Sequence, residues 1–472
     1  MSRTAAAAAL ADAAPRAYWL DDPARPVPLP SLRGRVEADL LVVGGGYTGL
    51  WAALEARRRH PHRSVLLVEA GECGGQASGR NGGFASASLT HGFGNGLERW
   101  PEELAELDRL GERNLAEIGE TVASLGIDCD WQPTGELTVA TRPHHLAELA
   151  GLQEAMRAHG ADGVRLLEGE ETRALLDSPT YLGALHDPTG TALVEPARLA
   201  WGLREACLDA GVRVHERTRA TGLERTGAGV EVGTLGPEGA GTVRARQVVL
   251  ATNAFPPLLR RLRLMTVPVY DHVLMTEPLT AEQRRAIGWE GRQGVGDAAN
   301  LFHYYRLTRD DRILWGGYDA VYHHGSRIDA SLEQRDATHR LLAEHFLETF
   351  PQLEGIRFTH RWGGVIDTCT RFTAFFGTAV GDRVGYALGY TGLGVAASRF
   401  GAQVVLDLLD GADTERTRLR MVRERPLPFP PEPLRRVGID LTRWSLARAD
   451  AREGRRNLWL RGLDAAGLGF DS

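Results

Sequence analysis

The segment DLLVVGGGYTGLWAALEARRRHPHRSVLLVEAG, residues 39–71, constrains the fold of this chain more strongly than any other. Its apolar run at 40–43 predicts a short buried strand, and the glycine motif at 44–49 leads into an alanine-rich helix. A second apolar run at 65–68 predicts another strand. The segment therefore predicts a βαβ unit, in which a helix connects two parallel strands.

Three glycines and one acid in this unit indicate what it binds. Gly44 permits a tight turn, Gly46 lets the backbone approach a pyrophosphate, and Gly49 lets the helix pack close to the strand. The helix N-terminus supplies amide donors and the positive end of a dipole. Glu69 ends the second strand, where its carboxylate can accept hydrogen bonds from both hydroxyls of a ribose. Together these features predict a dinucleotide site for FAD or NAD.

Length and composition are typical of a large α/β enzyme. The 472 residues suggest two connected domains, and 43% hydrophobic and 25% charged residues are usual for a globular protein. The formal net charge is −6 with both signs interspersed, so no nucleic-acid-binding pattern is present. All 55 basic residues are arginines, which excludes a lysine Schiff base or a lysine general base.

No segment predicts export or membrane insertion. The alanine-rich stretch at 1–23 is interrupted by Asp12 and lacks the apolar core of a signal peptide, and no run is long enough to span a bilayer. Four cysteines are scattered without paired spacing, so we expect neither disulfides nor a metal site; they are Cys73, Cys129, Cys207 and Cys369. The expected location is the cytoplasm.

Other segments predict a second layer of structure. The loop GECGGQASGRNGG, residues 71–83, is so rich in small residues that it either approaches a ligand closely or is a flexible surface loop. Amphipathic helices are predicted at 102–126 and 143–159. Between 270 and 360, aromatic and polar residues alternate at hairpin spacing, which predicts an antiparallel sheet.

The chain later returns to nucleotide-binding patterns at 211–224 and 245–257. In the second of these, an apolar strand ends in Thr252-Asn253, a natural turn beside a ligand. A further strand, glycine turn and helix follow at 384–409, and the absence of a closing acid disfavours a second adenosine site. The N-terminus of that helix suits a developing negative charge instead.

Five motifs, in this order, resemble those of the D-amino-acid oxidase family of FAD enzymes, and within it the glycine/sarcosine oxidase and γ-glutamylputrescine oxidase branch. They are VVGGGYTGL with Glu69, ASGRNGG, HERTRATGLE, VVLATNA, and RWGGVID with GYTGLGV. The resemblance extends from Tyr18-Trp19 to about residue 410. It implies an α/β FAD-binding domain, Rossmann-like with the GxGxxG motif, and an α+β substrate domain built on an antiparallel sheet.

The resemblance also implies domain boundaries and cofactor contacts. The FAD-binding domain is expected in three segments, the substrate-binding domain in two, and an arm at each end: 36–91, 190–268 and 360–412; 92–189 and 269–359; 1–35 and 413–472. The expected contacts with FAD are made by Gly44, Gly46, Tyr47, Thr48, Gly49, Glu69, Ala70, Ser78, Gly79, Arg80, Asn81, Gly82, Gly83, Ala220, Ala251, Thr252, Asn253, Tyr390, Gly392, Leu393, Gly394 and Val395.

Two positions depart from patterns found in the family. Leu393 stands where family members often carry histidine, which removes a polar side chain but leaves the backbone donors of the last helix. Cys369 is near the position at which some sarcosine oxidases attach flavin covalently, but it is one residue off that pattern and lacks the usual following proline. The resemblance therefore implies non-covalent FAD.

The activity implied by the resemblance is oxidation of a C–N bond in a small amine or amino acid. The substrate gives a hydride to flavin, the imine hydrolyses, and oxygen reoxidises the flavin to give hydrogen peroxide. The expected partners are a small-molecule amine and oxygen, without nucleic acid or membrane, and a homo-oligomer stays open. Two alternatives also stay open: a flavin-dependent monooxygenase or dehydrogenase using another electron acceptor, and a non-catalytic FAD-bound scaffold.

Candidates for contact with the substrate lie mainly in the predicted antiparallel sheet, and none is assigned a catalytic role. Arg306 is either a partner for a substrate carboxylate or a surface arginine, and Tyr305 and Trp315 form either an aromatic wall or core. His303 is a candidate base, although a lone histidine is more often structural. Arg306 or Arg361 can replace the lysine charge that helps oxygen react in the sarcosine-oxidase branch.

Overall fold

Two large β-sheets organise the described residues, 3–227 and 229–469 of the computed structural model. The strands are β1 (Gly34–Val43), β2 (Val65–Val68), β3 (Phe84–Ser86), β4 (Glu136–Ala140), β5 (Arg165–Glu168), β6 (Gly183–Asp187), β7 (Thr191–Leu193), β8 (Arg213–His215), β9 (Arg219–Arg225), β10 (Val230–Gly236), β11 (Gly239–Leu250), β12 (Val267–Thr276), β13 (Gly294–Asp297), β14 (His303–Leu307), β15 (Ile313–Gly317), β16 (Val321–Tyr322), β17 (Phe358–Thr368), β18 (Phe375–Ala379) and β19 (Val384–Leu388). The helices are α1 (Arg3–Ala9), α2 (Tyr47–Arg59), α3 (Phe93–Arg99), α4 (Leu104–Ser124), α5 (Pro143–Ala158), α6 (Gly169–Leu175), α7 (Pro196–Asp209), α8 (Ala281–Ile287), α9 (Asp336–Thr349), α10 (Gly394–Asp410), α11 (Glu415–Arg418), α12 (Arg420–Arg423), α13 (Leu434–Asp450) and α14 (Leu458–Ala465). All these helices are too short or too polar to cross a lipid bilayer.

The first sheet has the strand order β18-β19-β11-β1-β2-β8 and contains the predicted βαβ unit. Its strands from β19 to β8 run parallel, and α2 connects β1 to β2, so that prediction is confirmed. β1 begins earlier than predicted, at Gly34, because β11 pairs with it over almost its whole length. The apolar run from Leu40 to Val42 is fully buried, as expected of a central parallel strand.

The second sheet has the order β16-β12-β15-β14-β13-β4-β6-β5, and β17 also pairs with β12. Its pairs are antiparallel, as the alternation between 270 and 360 predicts, except that β13 and β4 run parallel. Helices α1 and α9 cover one face of this sheet, where their residues Ala6 and Phe346 join a core with Trp315. The opposite face is free to line a ligand site.

Strand β17 crosses the domain boundary predicted at residue 360. It runs without a break from Phe358 to Thr368 and pairs with β12 in the second sheet. The chain therefore returns to the first sheet only after Thr368, because a continuous ladder of hydrogen bonds holds the whole strand against β12. The helices predicted at 102–126 and 143–159 are confirmed as α4 and α5.

The C-terminal arm folds back on the second sheet. At the end of α13, the carboxylate of Asp450 accepts hydrogen bonds from the amides of Asn300 and Leu301 at 3.0 and 3.1 Å. Nearer the middle of that helix, Arg443 forms an ion pair with Asp319 at 2.6 Å. These contacts hold α13 beside the loops that follow β13 and β15.

The packing of α2 on β1 depends on Gly49, and this dependence can be tested. A Cβ at Gly49 would lie 1.9 Å from the carbonyl oxygen of Gly44, so Gly49→Ala must push the helix away from the strand. We expect a loss of about 1–3 kcal/mol in the free energy of unfolding, as for overpacked cores. The measurement is the midpoint of thermal unfolding, followed by circular dichroism.

Gly151 provides a matched control because it also lies within a helix, α5, but has open space where a Cβ would stand. Gly151→Ala should leave the midpoint unchanged or raise it slightly, since alanine favours a helix over glycine. A midpoint for Gly49→Ala equal to that of the wild type would contradict the packing argument.

Candidate functional site

A cleft of about 2410 Å³ is lined by both sheets and by the C-terminal arm. The first sheet contributes the loops that follow β1, β2, β11 and β19. The second sheet contributes alternate residues of β12, namely Val267, Val269, Asp271 and Val273. The cleft therefore joins the ends of parallel strands, where dinucleotides bind in α/β folds, to the uncovered face of the second sheet.

Two helix N-termini open into this cleft. Gly46 precedes α2 and Leu393 precedes α10, and both residues line the cleft. Gly46 has no side chain that could cap α2, and Leu393 forms no side-chain cap on α10. Of the first amides of α2, the amide of Tyr47 donates a hydrogen bond to Ser78 Oγ at 2.9 Å. Both helices therefore present partial positive charge to the cleft, which favours anionic groups of a ligand.

The turn after β1 brings the neighbouring strand ends to the N-terminus of α2. Gly44 has a φ of +113°, and a Cβ there would lie 2.3 Å from the carbonyl oxygen of Ala251. Only glycine tolerates both this conformation and this approach. As a result, Thr252 and Asn253, which follow β11, line the same part of the cleft as the glycine motif.

Glu69 lies at the end of β2 and borders the cleft. Its Oε2 accepts a hydrogen bond from the amide of Gly45 at 2.6 Å, and its Oε1 accepts one from the amide of Gly71 at 2.7 Å. Burial raises the pKa of Glu69, and the two amides oppose that rise. The backbone thus fixes the carboxylate, which still has lone pairs for hydroxyl donors of a ligand.

Two tryptophans hold the loop at 77–83. Trp19 Nε1 donates a hydrogen bond to the carbonyl of Asn81, and Trp362 Nε1 donates to the carbonyl of Arg80, both at 2.9 Å. Arg80 also forms an ion pair with Glu333 at 2.5 Å. The loop is therefore an ordered wall of the cleft and not the flexible surface loop that its composition left open.

Most of the predicted cofactor contacts line the cleft, and three do not. Those that line it are Gly44, Gly46, Tyr47, Thr48, Glu69, Ala70, Ser78, Arg80, Asn81, Gly82, Ala220, Ala251, Thr252, Asn253, Tyr390, Gly392, Leu393, Gly394 and Val395. Gly49, Gly79 and Gly83 lie behind its wall, where a Cβ would be 1.9, 2.2 and 2.1 Å from a backbone oxygen. Those three glycines permit close packing of backbones and do not face the cleft.

Asp367 is a cleft residue that the sequence analysis did not single out, although it ends the quoted motif RWGGVID. Its carboxylate accepts hydrogen bonds from the amides of Gly389 and Tyr390. Burial raises the pKa of Asp367 to about 7, with these amides acting in the opposite direction. Asp367 thus holds the turn that leads into α10.

Of the two alternatives that the sequence left open for Tyr305 and Trp315, the structure shows core packing and not an aromatic wall of the cleft. Both are 1% exposed, and their rings stack at a centroid distance of 4.6 Å in the core beneath α9. His303 lies on the same covered face, where Nδ1 contacts Asp297 at 2.7 Å and Nε2 contacts His345 at 2.9 Å. All three side chains point away from the cleft because residues 303 and 305 share one face of β14.

The two arginine candidates also make no contact with the cleft. Arg306 is fully buried and donates a hydrogen bond to the carbonyl of Val194 at 2.7 Å, and burial lowers its pKa to about 10. Arg361 forms an ion pair with Asp336 at 2.6 Å. Neither arginine lines the cleft, so the structure does not support either one as a substrate contact or as a replacement for the lysine charge. Arg306 is not the surface arginine of the other alternative either, because it is fully buried.

Tyr304 and Asp271 are the polar pair that the cleft contains instead. Tyr304 Oη donates a hydrogen bond to Asp271 Oδ2 at 2.5 Å, and both residues line the cleft. A Cβ at Gly82 or at Gly316 would lie 2.6 Å from the Tyr304 ring, so the ring is held between two backbones. Burial raises the pKa of Asp271 to about 6, opposed by the Tyr304 hydrogen bond. Alternation along β12 and β14 was the signal available in the sequence, but it does not say which face is covered.

Two further groups bear on the cofactor and metal expectations. Cys369 is fully buried, does not line the cleft, and donates a hydrogen bond from Sγ to the carbonyl of Thr373 at 3.1 Å.

One cluster has potential metal-ligand atoms within 4.8 Å of one another, and it consists of His144, His145 and Glu148. Nδ1 of His145 already accepts a hydrogen bond from the amide of Thr141. The absence of a metal site stays a prediction.

Comparison with known proteins identifies a family whose description names FAD, in agreement with a cleft that suits a dinucleotide. The family described as "DAO: FAD dependent oxidoreductase" matches residues 39–408. Gamma-glutamylputrescine oxidoreductase of Escherichia coli strain K12 is 32% identical over 409 residues, covering 84% of this chain and 89% of that protein. Sarcosine oxidase subunit beta of Rhodobacter capsulatus is 26% identical over 70% of this chain and 74% of that protein. Glycine oxidase from Geobacillus kaustophilus has a similar structure, with a TM-score of 0.66 at 21% identity, covering 80% of this chain and 96% of that one. The chain therefore belongs to the DAO family of FAD-dependent oxidoreductases.

Proposed function

We propose that this enzyme oxidises the C–N bond of a small amine to an imine, which then hydrolyses, with FAD held non-covalently as the hydride acceptor. The observation that carries this proposal is the half-buried Asp271–Tyr304 pair, which places a carboxylate in the cleft against the loop at 77–83. A carboxylate in a water-poor site attracts an ammonium group and accepts a hydrogen bond from an amine.

The residues of the cleft fit FAD. Glu69 would accept hydrogen bonds from the ribose, and the amides at the start of α2 would face the pyrophosphate. The uncapped N-terminus of α10, after Leu393, would stabilise negative charge on the reduced flavin ring. When bound, FAD supplies a two-electron acceptor for the substrate. Because Cys369 does not line the cleft, nothing favours a covalent link.

The chain's own residues would bind and orient the amine. Asp271 would bind the substrate ammonium and accept its proton, which leaves the neutral amine that hydride transfer requires, and Tyr304 would hold the carboxylate in place. Val269 and Val273, on either side of Asp271 on the same face of β12, would exclude water from the reacting carbon.

Oxygen is the proposed final acceptor, which would form hydrogen peroxide, but its reaction should be slow. A fixed positive charge near the flavin stabilises superoxide as it forms, and this chain contains no lysine to supply it. Arg80, the arginine of the cleft loop, is already neutralised by Glu333 at 2.5 Å. We therefore expect the reduced enzyme to accumulate during turnover in air.

Anaerobic stopped-flow mixing tests the reaction class. The oxidised holoenzyme is mixed separately with sarcosine, putrescine, γ-glutamylputrescine and NADPH, and flavin absorbance is followed. At least one amine should bleach the flavin and NADPH should not; reduction by NADPH alone would favour a monooxygenase, and reduction by nothing would favour a scaffold.

The reduced enzyme is then mixed with air-saturated buffer, and reoxidation faster than the reductive step would refute the expected accumulation.

Asp271 should determine an acidic limb in the pH profile. The carboxylate binds a cationic amine only when ionised, and its pKa is raised to about 6, so binding should fail as pH falls through that value. We expect Asp271→Asn to lower kcat/KM about 10- to 100-fold at neutral pH, the scale of a charged hydrogen bond. The ratio of wild-type to mutant kcat/KM should approach one below pH 6, and this ratio cancels the ionisation of the amine itself.

A second aspartate–tyrosine pair outside the cleft supplies the control. Asp310 accepts a hydrogen bond from Tyr18 Oη at 3.2 Å and does not line the cleft. Asp310→Asn should therefore retain the wild-type profile. An Asp271→Asn enzyme with a wild-type profile would remove Asp271 from the proposed amine site.

Glu69→Ala tests the cofactor site. Loss of hydrogen bonds to the ribose should weaken FAD binding by about 1.5–3 kcal/mol, which means loss of flavin during dialysis that the wild type withstands. Flavin per chain is measured from absorbance. The control is Glu37→Ala, which replaces an exposed glutamate elsewhere on the first sheet and should leave the flavin content unchanged.

Acid precipitation of the wild type should release yellow FAD into the supernatant, and flavin remaining in the pellet would show a covalent link.

A further inference from the structure

Arg435 is a buried cation in the wall of the cleft. It lies in the first turn of α13, is 6% exposed, and lines the cleft together with Ile439 and Thr442 of the same helix. The family match ends at residue 408, so this wall belongs to a part of the chain outside the matched region. The C-terminal arm thus adds a charged group to a cleft that the two sheets otherwise form.

The hydrogen-bond partners of Arg435 are neutral. Its Nε donates to the carbonyl of Pro430 at 3.0 Å, and its Nη1 donates to Ser326 Oγ at 2.8 Å. Within the described residues, 3–227 and 229–469, no carboxylate forms an ion pair with it. Glu432, the nearest acid along the chain, accepts instead from Tyr322 Oη and from the amide of Gly325.

Two other arginines of α13, unlike Arg435, have acid partners. Arg436 is paired with Asp440, and Arg443 is paired with Asp319 at 2.6 Å. A guanidinium removed from water without a counter-charge costs several kcal/mol, and neutral hydrogen-bond partners offset only part of this. An arginine held in this way at the edge of a ligand cleft is suited to an anionic group on the ligand.

The position of Arg435 relates this anion site to Asp271. Ser326 Oγ, which holds Arg435, is 3.2 Å from Tyr322 Oη. Tyr322 of β16 pairs with Val269 of β12, so the two share one face of the sheet with Asp271, two residues further along β12. The cleft therefore has a carboxylate and, further out along the same face, an uncompensated guanidinium.

We propose that Arg435 binds a carboxylate on the substrate, so that the substrate is an amine carrying an anionic group some distance from the oxidised C–N bond. This inference rests on the proposed function, because it takes Asp271 as the amine end of the site. A carboxylate is the ligand group that matches the planar fork of a guanidinium with two parallel hydrogen bonds. Selectivity for such substrates would then reside in the C-terminal arm.

Calorimetric titration of the holoenzyme with glutarate tests the anion site without any turnover. Wild type and Arg436→Gln should bind glutarate, whereas Arg435→Gln should bind it at least about 10-fold more weakly. Arg436→Gln is the matched control, since it removes the neighbouring arginine, which already has a carboxylate partner. Equal affinity in all three proteins, or no binding to the wild type, would overturn the proposal.

A matched pair of amines tests the substrate class in the wild-type enzyme, so a poorly folded variant does not prevent a decision. The pair is 5-aminopentanoate and 5-aminopentanamide, which differ only in the distal charge. We expect the carboxylate to reduce the flavin at least about 10-fold more efficiently, and Arg435→Gln, with normal flavin content, to abolish the difference. Equal or better reduction by the amide would overturn the inference.

The two proposals fail in different ways. If no amine reduces the flavin, the proposed function is wrong, and glutarate binding still decides whether Arg435 forms an anion site. If amines reduce the flavin but a distal carboxylate brings no advantage, the proposed function stands and the inference about Arg435 falls.

Discussion

The contact between α2 and β1 determines the arrangement of the whole cleft. Gly49 lets the helix approach the strand until a Cβ would lie 1.9 Å from the carbonyl oxygen of Gly44. This close packing directs the helix N-terminus at the ends of β1, β2 and β11, where Glu69 and Thr252 line the cleft. Because the dipole of α2 and the strand ends converge there, the proposed site for a pyrophosphate and a ribose depends on a backbone contact and not on any single polar side chain.

The second sheet completes the site because its two faces have different surroundings. Helices α1 and α9 cover one face, where Tyr305 and Trp315 pack in the core. The other face carries Tyr304 and Asp271 into the cleft. A shift of one residue along β14 therefore separates a core tyrosine from a tyrosine that can meet a ligand, since successive side chains of a strand point to opposite faces.

The cleft contains charged groups that are shielded from water. Asp271 and Asp367 both have pKa values raised by burial, and both accept hydrogen bonds that keep them ordered. Arg435 is buried with neutral partners, whereas Arg443 on the same helix has an acid partner. Because these groups line the cleft, they are the basis of the proposal that the substrate carries both an amine and an anionic group.

The sequence by itself predicted the βαβ unit, its glycines and Glu69, because each of these depends on local spacing along the chain. The family and FAD were implied by the resemblance of five motifs and not by that spacing. The sequence also predicted an antiparallel second sheet from alternation, and it left the small-residue loop at 71–83 as either a segment close to a ligand or a flexible surface loop. Only the tertiary structure decided which face of that sheet α9 covers, which removed His303, Tyr305 and Trp315 from the site and brought in Tyr304 and Asp271. It alone placed Arg435 in the cleft wall, because the fold of the C-terminal arm depends on contacts such as Asp450 with Asn300, which join residues 150 positions apart. Spacing encodes local geometry, whereas burial and charge compensation depend on partners that are distant in the chain.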